Sequence, residues 1–488
     1  MKNDTIVIGA GISGLTAAIL LAQNGRKVAL LEKSKSIAPT IRGFFRGNIY
    51  FDTGFHYAGM FGPDEPLSRL CDRLGILSHI KIGRRNDIVG DHFYCTNPEF
   101  EFDFKLKLQN LLQQLTENFP NENEAITQFL EKIRHFLDTI NDDLFGLVMD
   151  PASIFQSAYL SLKQYLQENF RSPVLQTLLS LHAVLYGSMP EETSLLYHSM
   201  VAGAYYDQSW QIVNGGYAIA KAFEKELQKY DIDIFTSCSV NHININNDRA
   251  VEAVGLESGE TIECNNCVYT GHPRILTEML PAGSLRPVYH SRLQGLEDTS
   301  SAVVLFCVSE KADIDANFQN MILAHKLFPE MYNLEDGFDS CPMFISKPLS
   351  DSYVGGISII CPCRFELVRQ WDSSRTGQRP LEYREWKNRV ADTIADAVKQ
   401  YCNDVMGDLK IIDVATPLTF RDYMNAPDGC LYGAKHKIND MPFMSRTRIK
   451  GLFLSGQATV SAGLMGAMLA GFLSAAAITG EDYRKTMQ

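Results

Sequence analysis

Near the N-terminus the run Gly9-Ala10-Gly11-Ile12-Ser13-Gly14 has the residue types and spacing to hold a dinucleotide. Gly9 permits a tight turn, Gly11 lets a pyrophosphate come close to the backbone, and Gly14 lets a helix pack against the preceding strand. A helix opening at Ile12 and Ser13 would aim amide N–H groups and positive potential at the phosphates. Glu32, with Lys33 beside it, stands where an acidic residue accepts hydrogen bonds from a ribose. The plain alternative is a glycine-rich turn without a ligand, and it weakens because strand, glycines, helix and acidic residue coincide. The fingerprint does not choose between FAD and NAD, since both present adenosine diphosphate.

Such a site needs a strand on each side of the helix, and the neighbouring pattern supplies them. Thr5 to Ile8 is apolar and β-branched, Leu15 to Asn24 is spaced as a helix closed by Gly25, and Lys27 to Leu31 reads as a second strand. Together they predict a right-handed βαβ unit with buried parallel strands. From about residue 105 to 200 the spacing becomes helical, over Leu106 to Phe119, Glu124 to Asn141 and Ser172 to Tyr186, with breaks at Pro120, Pro151 and Pro173. Ala218 to Tyr230 predicts another helix, and Ile232 to Phe235, Val240 to Ile245, Ala250 to Leu256 and Thr261 to Tyr269 predict strands. Residues 301 to 310 and 353 to 361 read as strands of a second sheet, and Tyr383 to Cys402 as an amphipathic helix.

A chain of 488 residues exceeds one simple core, so two or three lobes are expected. With 45% hydrophobic and 21% charged residues it reads as globular, neither disordered nor polytopic. A net charge of −12 and the absence of a long basic run argue against a nucleic-acid partner. Met1-Lys-Asn-Asp runs straight into a strand, without the regions of a signal peptide, so a cytoplasmic location is expected. Ala458 to Gly480 carries no charge and raises the question of a membrane span. Its glycines and alanines read better as a close-packed helix beside a cofactor. Cys264-x-x-Cys267 and Cys361-Pro-Cys363 are weighed as halves of a zinc site, but the second spacing does not suit one, and reduced thiols packed on strands are expected instead, with no metal.

Six further stretches carry a likeness: Arg42-Gly43, Phe51-Asp52-Thr53-Gly54-Phe55-His56-Tyr57, Gly215-Gly216, Thr416-Pro417-Leu418-Thr419, Gly429-Cys430-Leu431-Tyr432-Gly433 and Leu452-Phe453-Leu454-Ser455-Gly456. In that order the chain resembles the phytoene desaturase, carotenoid isomerase and retinol saturase family of flavoproteins. The resemblance spans nearly the whole chain and is strongest at its two ends. It implies an α/β fold in which residues 1–104, 201–275 and 415–488 form a Rossmann-like FAD-binding domain from discontinuous segments. Residues 105–200 and 276–414 would form a mixed α/β substrate domain with a helical insertion, open to peripheral contact with a membrane. By the same likeness Arg42 and Gly43 belong to a cofactor-binding turn, and Val240 meets the adenine end through its backbone. Gly456 and Gln457 would lie at the pyrophosphate and ribityl chain, and the helix starting at Gly463, Leu464 and Met465 would point at the isoalloxazine. Two departures are Thr40-Ile41 where the family has a glycine pair, and Gln457 where it has an acidic residue.

His56 and Tyr57 follow the Phe-Asp-x-Gly turn, which the resemblance leads towards the flavin ring, and they are the polar candidates for catalysis. A structural hydrogen bond is the equal alternative for His56, and for His198 a packing role is favoured. The expected activity is that of an FAD-dependent oxidoreductase that desaturates, saturates or isomerises a small apolar substrate, polyene or isoprenoid. With no second G-x-G-x-x-G, electrons would pass to or from oxygen, a quinone or reduced nicotinamide. Two rivals stay open. A flavin amine oxidase would show an aromatic cage and a buried lysine, and a non-catalytic binding protein similar to the GDP dissociation inhibitors would share the architecture alone.

Overall fold

The computed structural model describes residues 3–145, 160–309, 320–335, 337–338, 341–438 and 444–486. Strand β1 (Asn3–Ile8), helix α1 (Ile12–Gln23) and strand β2 (Val28–Leu31) form the expected unit, with Thr5 opposite Val28 and Ile8 opposite Leu31 in parallel register. Helix α1 is buried from Ile12 to Leu21, as an almost uniformly apolar helix must be. It comes so close to β1 that a Cβ on Gly14 would overlap the Gly9 carbonyl oxygen.

Strands β3 (Val89–Thr96) and β4 (Glu99–Lys105) form an antiparallel hairpin that joins the second sheet, although they fall in the segment 1–104 expected beside the dinucleotide. Alternation explains the placement: Phe93 and Cys95, and Phe102 and Phe104, are buried on one face, while His92, Tyr94, Glu101, Asp103 and Lys105 alternate with them. The helical stretch follows as Leu108–Asn118, Asn123–Asp142, Leu162–Asn169 and Pro173–Ser180. Ser172 to Tyr186 is thus not one helix; it tightens into a 3-10 turn over Leu181–Leu185. Pro151, one of the expected breaks, lies outside the described residues.

Helices α2 (Leu195–Asp207) and α3 (Gly215–Leu227) lead back to β5 (Ile232–Phe235), β6 (Val240–Ile245), β7 (Val251–Leu256) and β8 (Thr261–Tyr269). The first sheet runs β5-β2-β1-β8-β7-β6. In the second, β9 (Ser301–Ser309), β10 (Asn320–Ala324), β11 (Met343–Ser346), β12 (Ile357–Cys363) and β13 (Leu409–Ala415) are ordered β13-β9-β12-β11-β10-β3-β4. The helix Leu381–Met406 buries Val390, Ile394 and Val398 against that sheet.

Strand β14 (Leu452–Leu454) returns to pair with β8, and α4 (Gly463–Thr479) lies on α1, where Gly471 has no room for a Cβ beside Ser13 and Thr16. Among the described residues no helix is long and apolar enough to cross a membrane. Cys264 and Cys267 pack on β8 in one core with Ile6 and Leu31, and Cys361 and Cys363 on β12 in another with Val303 and Ile359. The two cysteine pairs therefore do not share a site.

Candidate functional site

At the β1–α1 turn Gly9 has φ +99°, and the direction in which Gly11 would carry a Cβ meets nothing within 4 Å. Ile12 and Ser13 open α1 behind that space. The Ser13 hydroxyl lies 2.6 Å from that of Ser455 and accepts the Gly456 N–H at 2.9 Å, which ties the N-terminal turn to the C-terminal strand. The buried Glu32 carboxylate accepts the Ala10 and Ser34 N–H groups, each at 2.7 Å. Its remaining lone pairs are those a ribose could use.

Other sequence candidates are placed differently. Lys33 is at the surface, 3.4 Å from the Asn425 side chain. Arg42 is engaged by the Ile37 carbonyl and by Glu224 on α3, while Gly43 has φ +65° under Tyr50 and Phe51. Val240 begins β6 opposite Leu256, and the Gln457 carbonyl accepts from His436 at 3.0 Å.

His56, Tyr57, Tyr197, Tyr205, Phe344 and Tyr432 line a cavity of about 1330 Å³, and so do Gly463, Leu464 and Met465 at the start of α4. The structure thus brings the two catalytic candidates to the helix terminus singled out in the sequence. Asp52 fixes the turn that carries them: its buried carboxyl accepts the Gly216 N–H at 2.9 Å and the Tyr50 hydroxyl at 2.5 Å. Gly216 has to be glycine, because a Cβ there would overlap the Ile41 carbonyl oxygen.

Burial pushes the Asp52 carboxyl up to about 7, against the lowering by Tyr50 and Gly216. The native state then holds a proton that the unfolded chain has lost, from about pH 4 to about pH 7, so stability falls as pH rises through that window. Asp52→Asn, which keeps an acceptor oxygen, should remove this slope. Melting temperatures at pH 5 and pH 8 would check it: the variant should gain on the parent at the higher pH, and an unchanged difference would contradict the assignment.

His56 is half-buried, its ring edge-to-face with Phe344 at 5.7 Å. Neither ring nitrogen has a hydrogen-bond partner among the described residues, and burial alone pulls the imidazole down to about 4, so it is neutral at pH 7. Tyr57 differs: its ring faces the cavity, but its hydroxyl donates to the buried Asp91 at 2.8 Å, and burial and Asp91 hold it protonated. His198, on α2, is satisfied by Tyr186 and by the Leu179 carbonyl, both at 2.8 Å, as the packing reading expects. Sequence reasoning missed Asp91, His182 and Asn320, which meet behind Tyr57. A signal existed for Asp91, since it shares the inward face of β3 with Phe93 and Cys95.

The family described as flavin containing amine oxidoreductase matches residues 12–357. The chain belongs to that family. It is an FAD-dependent oxidoreductase, and the open cradle at Gly11, the Glu32 carboxylate and the Ser13–Gly456 link fit the dinucleotide. The chain is 23% identical to an all-trans-retinol 13,14-reductase of Danio rerio, over 95% of this chain and 84% of the relative. It is also 23% identical to a chloroplastic prolycopene isomerase of Daucus carota, over 96% of this chain and 79% of that one. Among solved structures, a putrescine oxidase has the same fold, with a TM-score of 0.67 at 14% identity over 99% of this chain and 100% of that one.

Proposed function

We propose that this flavoprotein desaturates a carbon–carbon single bond, or saturates or isomerises a double bond, of an apolar polyene or isoprenoid held in the cavity. The observation that carries the reading is the joining, in one mostly apolar space, of His56, an aromatic wall and the N-terminus of α4. The names of the retinol reductase and prolycopene isomerase relatives support it. Bound FAD supplies a centre that exchanges a hydride with carbon. Gly9, Gly11, Ser13, Gly14, Glu32 and Gly456 would hold it, with the start of α4 offering positive potential to the ring system.

The remaining chemistry is the chain's own. His56 is neutral, so one ring nitrogen can donate and the other accept, which suits it to hold or move a proton at the substrate atom beside the reacting carbon. The aromatic wall orients an extended chain and keeps water out. In this reading the first sheet forms the FAD-binding domain, and the second sheet with the helical segment selects substrate. Oxygen, a quinone or reduced nicotinamide completes the electron balance. A cytoplasmic location with peripheral membrane contact belongs to the same proposal, and Met444, 73% exposed where it lines the cavity, supports such contact.

The test is anaerobic mixing of the FAD-loaded protein, oxidised and chemically reduced, with all-trans-retinol, a carotenoid and putrescine. A change in the polyene spectrum or in flavin absorbance is expected with a polyene. Bleaching of the flavin by putrescine alone would move the function to amine oxidation. Lys437, the lysine at the cavity, is already paired with Glu297 and Glu192 and does not mark an amine site.

A further inference from the structure

The wall of the cavity is shaped by residues that do not line it. Tyr57 stacks on Phe344 with ring centroids 5.7 Å apart and leans on Tyr205 at 4.4 Å, which makes a continuous aromatic surface. Its hydroxyl points the other way, to Asp91 Oδ2. The same oxygen accepts from His182 Nε2 at 3.0 Å, while Oδ1 accepts from Asn320 Nδ2 at 3.0 Å. Asn320 is held in turn by the Ser346 hydroxyl at 2.8 Å. Asp91 is 3% and His182 1% exposed, so this carboxylate depends wholly on protein donors. The donors arrive from the turn after Asp52, the 3-10 turn Leu181–Leu185 and strand β10, three parts of the chain that meet at this point.

We propose that Asp91, held by His182 and Asn320, is a positioning residue that keeps the Tyr57 hydroxyl turned away from the substrate and its ring in the cavity wall. This rests on reading the cavity as the substrate's space. A buried phenol without a partner is costly, and the side of Tyr57 open to relief is the cavity. Loss of Asp91 therefore lets the ring tilt, which breaks its stacking on Phe344 and Tyr205 and places a polar group where an apolar chain should lie. The Tyr57 hydroxyl itself does no chemistry on the substrate.

The experiment compares FAD-loaded parent, Tyr57→Phe, Asp91→Asn, Asp91→Ala and the Asp91→Ala/Tyr57→Phe double variant. All-trans-retinol is the probe, its binding followed by fluorescence, alongside turnover and melting temperature. Tyr57→Phe keeps the ring in the wall and serves as the reference background, and Asp91→Asn, which keeps one acceptor oxygen but turns an NH2 toward either Asn320 or the Tyr57–His182 pair, should fall between the parent and Asp91→Ala. Asp91→Ala should bind retinol about 10-fold more weakly, and most of that loss should vanish in the Tyr57→Phe background. Its fall in melting temperature should also be smaller there. A loss of turnover of about 10-fold or more in Tyr57→Phe would put the hydroxyl on the substrate and overturn the proposal, as would equal effects of Asp91→Ala in both backgrounds. Should Asp91→Ala fail to fold, Asp91→Asn compared in the parent and Tyr57→Phe backgrounds reads the same coupling, and equal effects in both would overturn the proposal. A parent that binds no retinol would strike the substrate reading alone, because the coupling in melting temperature still reads the Asp91–Tyr57 contact.

Discussion

Gly11→Val should give a folded protein that carries no flavin. The direction of a Gly11 side chain is open to 4 Å, so valine adds no clash within the protein and the cooperative melt should survive. That open space is where the glycine lets a pyrophosphate approach the backbone, and a branched side chain would fill it. An affinity for FAD at least about 100-fold weaker, on the order of 3 kcal/mol, is expected. Gly14 offers the control. A Cβ there overlaps the Gly9 carbonyl oxygen, so Gly14→Ala should lower the melting temperature of the protein itself. Flavin absorbance after purification, titration with FAD and circular-dichroism melting separate the two effects. A fully yellow Gly11→Val protein would place the dinucleotide elsewhere.

The parts of the fold that were legible are those where one physical cause dominates. Strand β1, the glycines and helix α1 declare themselves because a buried parallel unit permits only apolar residues and no Cβ at the crossing. The strands from β5 to β8 are legible for another reason: short runs with Val, Ile, Phe or Tyr are marked off by turns, even where Ile234 and Phe235 are exposed. The hairpin of β3 and β4 was harder to see. Its period-2 signal is interleaved with Asp91, His92, Glu99, Glu101 and Asp103, and nothing local says that its partner is a strand more than two hundred residues away. The helix ending at Ser180 tightens into a 3-10 turn for a tertiary reason, since His182 there reaches Asp91.

The site was legible to the same uneven degree. Backbone requirements leave marks in sequence, so Gly9 and Gly14 could be recognised from their spacing between strand and helix, whereas Gly216 entered only through the family resemblance. Side-chain partnerships leave no such marks. Arg42 has its guanidinium on Glu224, a position on α3 whose facing is set by how that helix packs. Tyr57 and His56 are neighbours in sequence and share a cavity, but only coordinates distinguish the hydroxyl bonded to Asp91 from the imidazole with no bond.

That difference sets the expectation for His56→Ala. With no hydrogen bond to lose, the variant gives up only its packing against Phe344, so FAD content should be retained and the melting temperature near pH 7 should change little. If the imidazole holds or moves a proton at the substrate, the single-turnover rate should fall by about 100-fold or more. The pH behaviour is a second, independent reading. The folded imidazole titrates at about 4, below the value of about 6.5 in an unfolded chain, so the native state binds fewer protons between those limits. Stability from this residue is present above that window and is lost as pH falls through it, and His56→Ala should flatten that part of the acid limb. The parent's rate should be level from about pH 5.5 to pH 8, because the neutral ring already prevails there. A rate that tracks a pKa near 6.5 would show the ring to be solvated in the working complex. A lowered melting temperature with an unchanged single-turnover rate would leave His56 as packing.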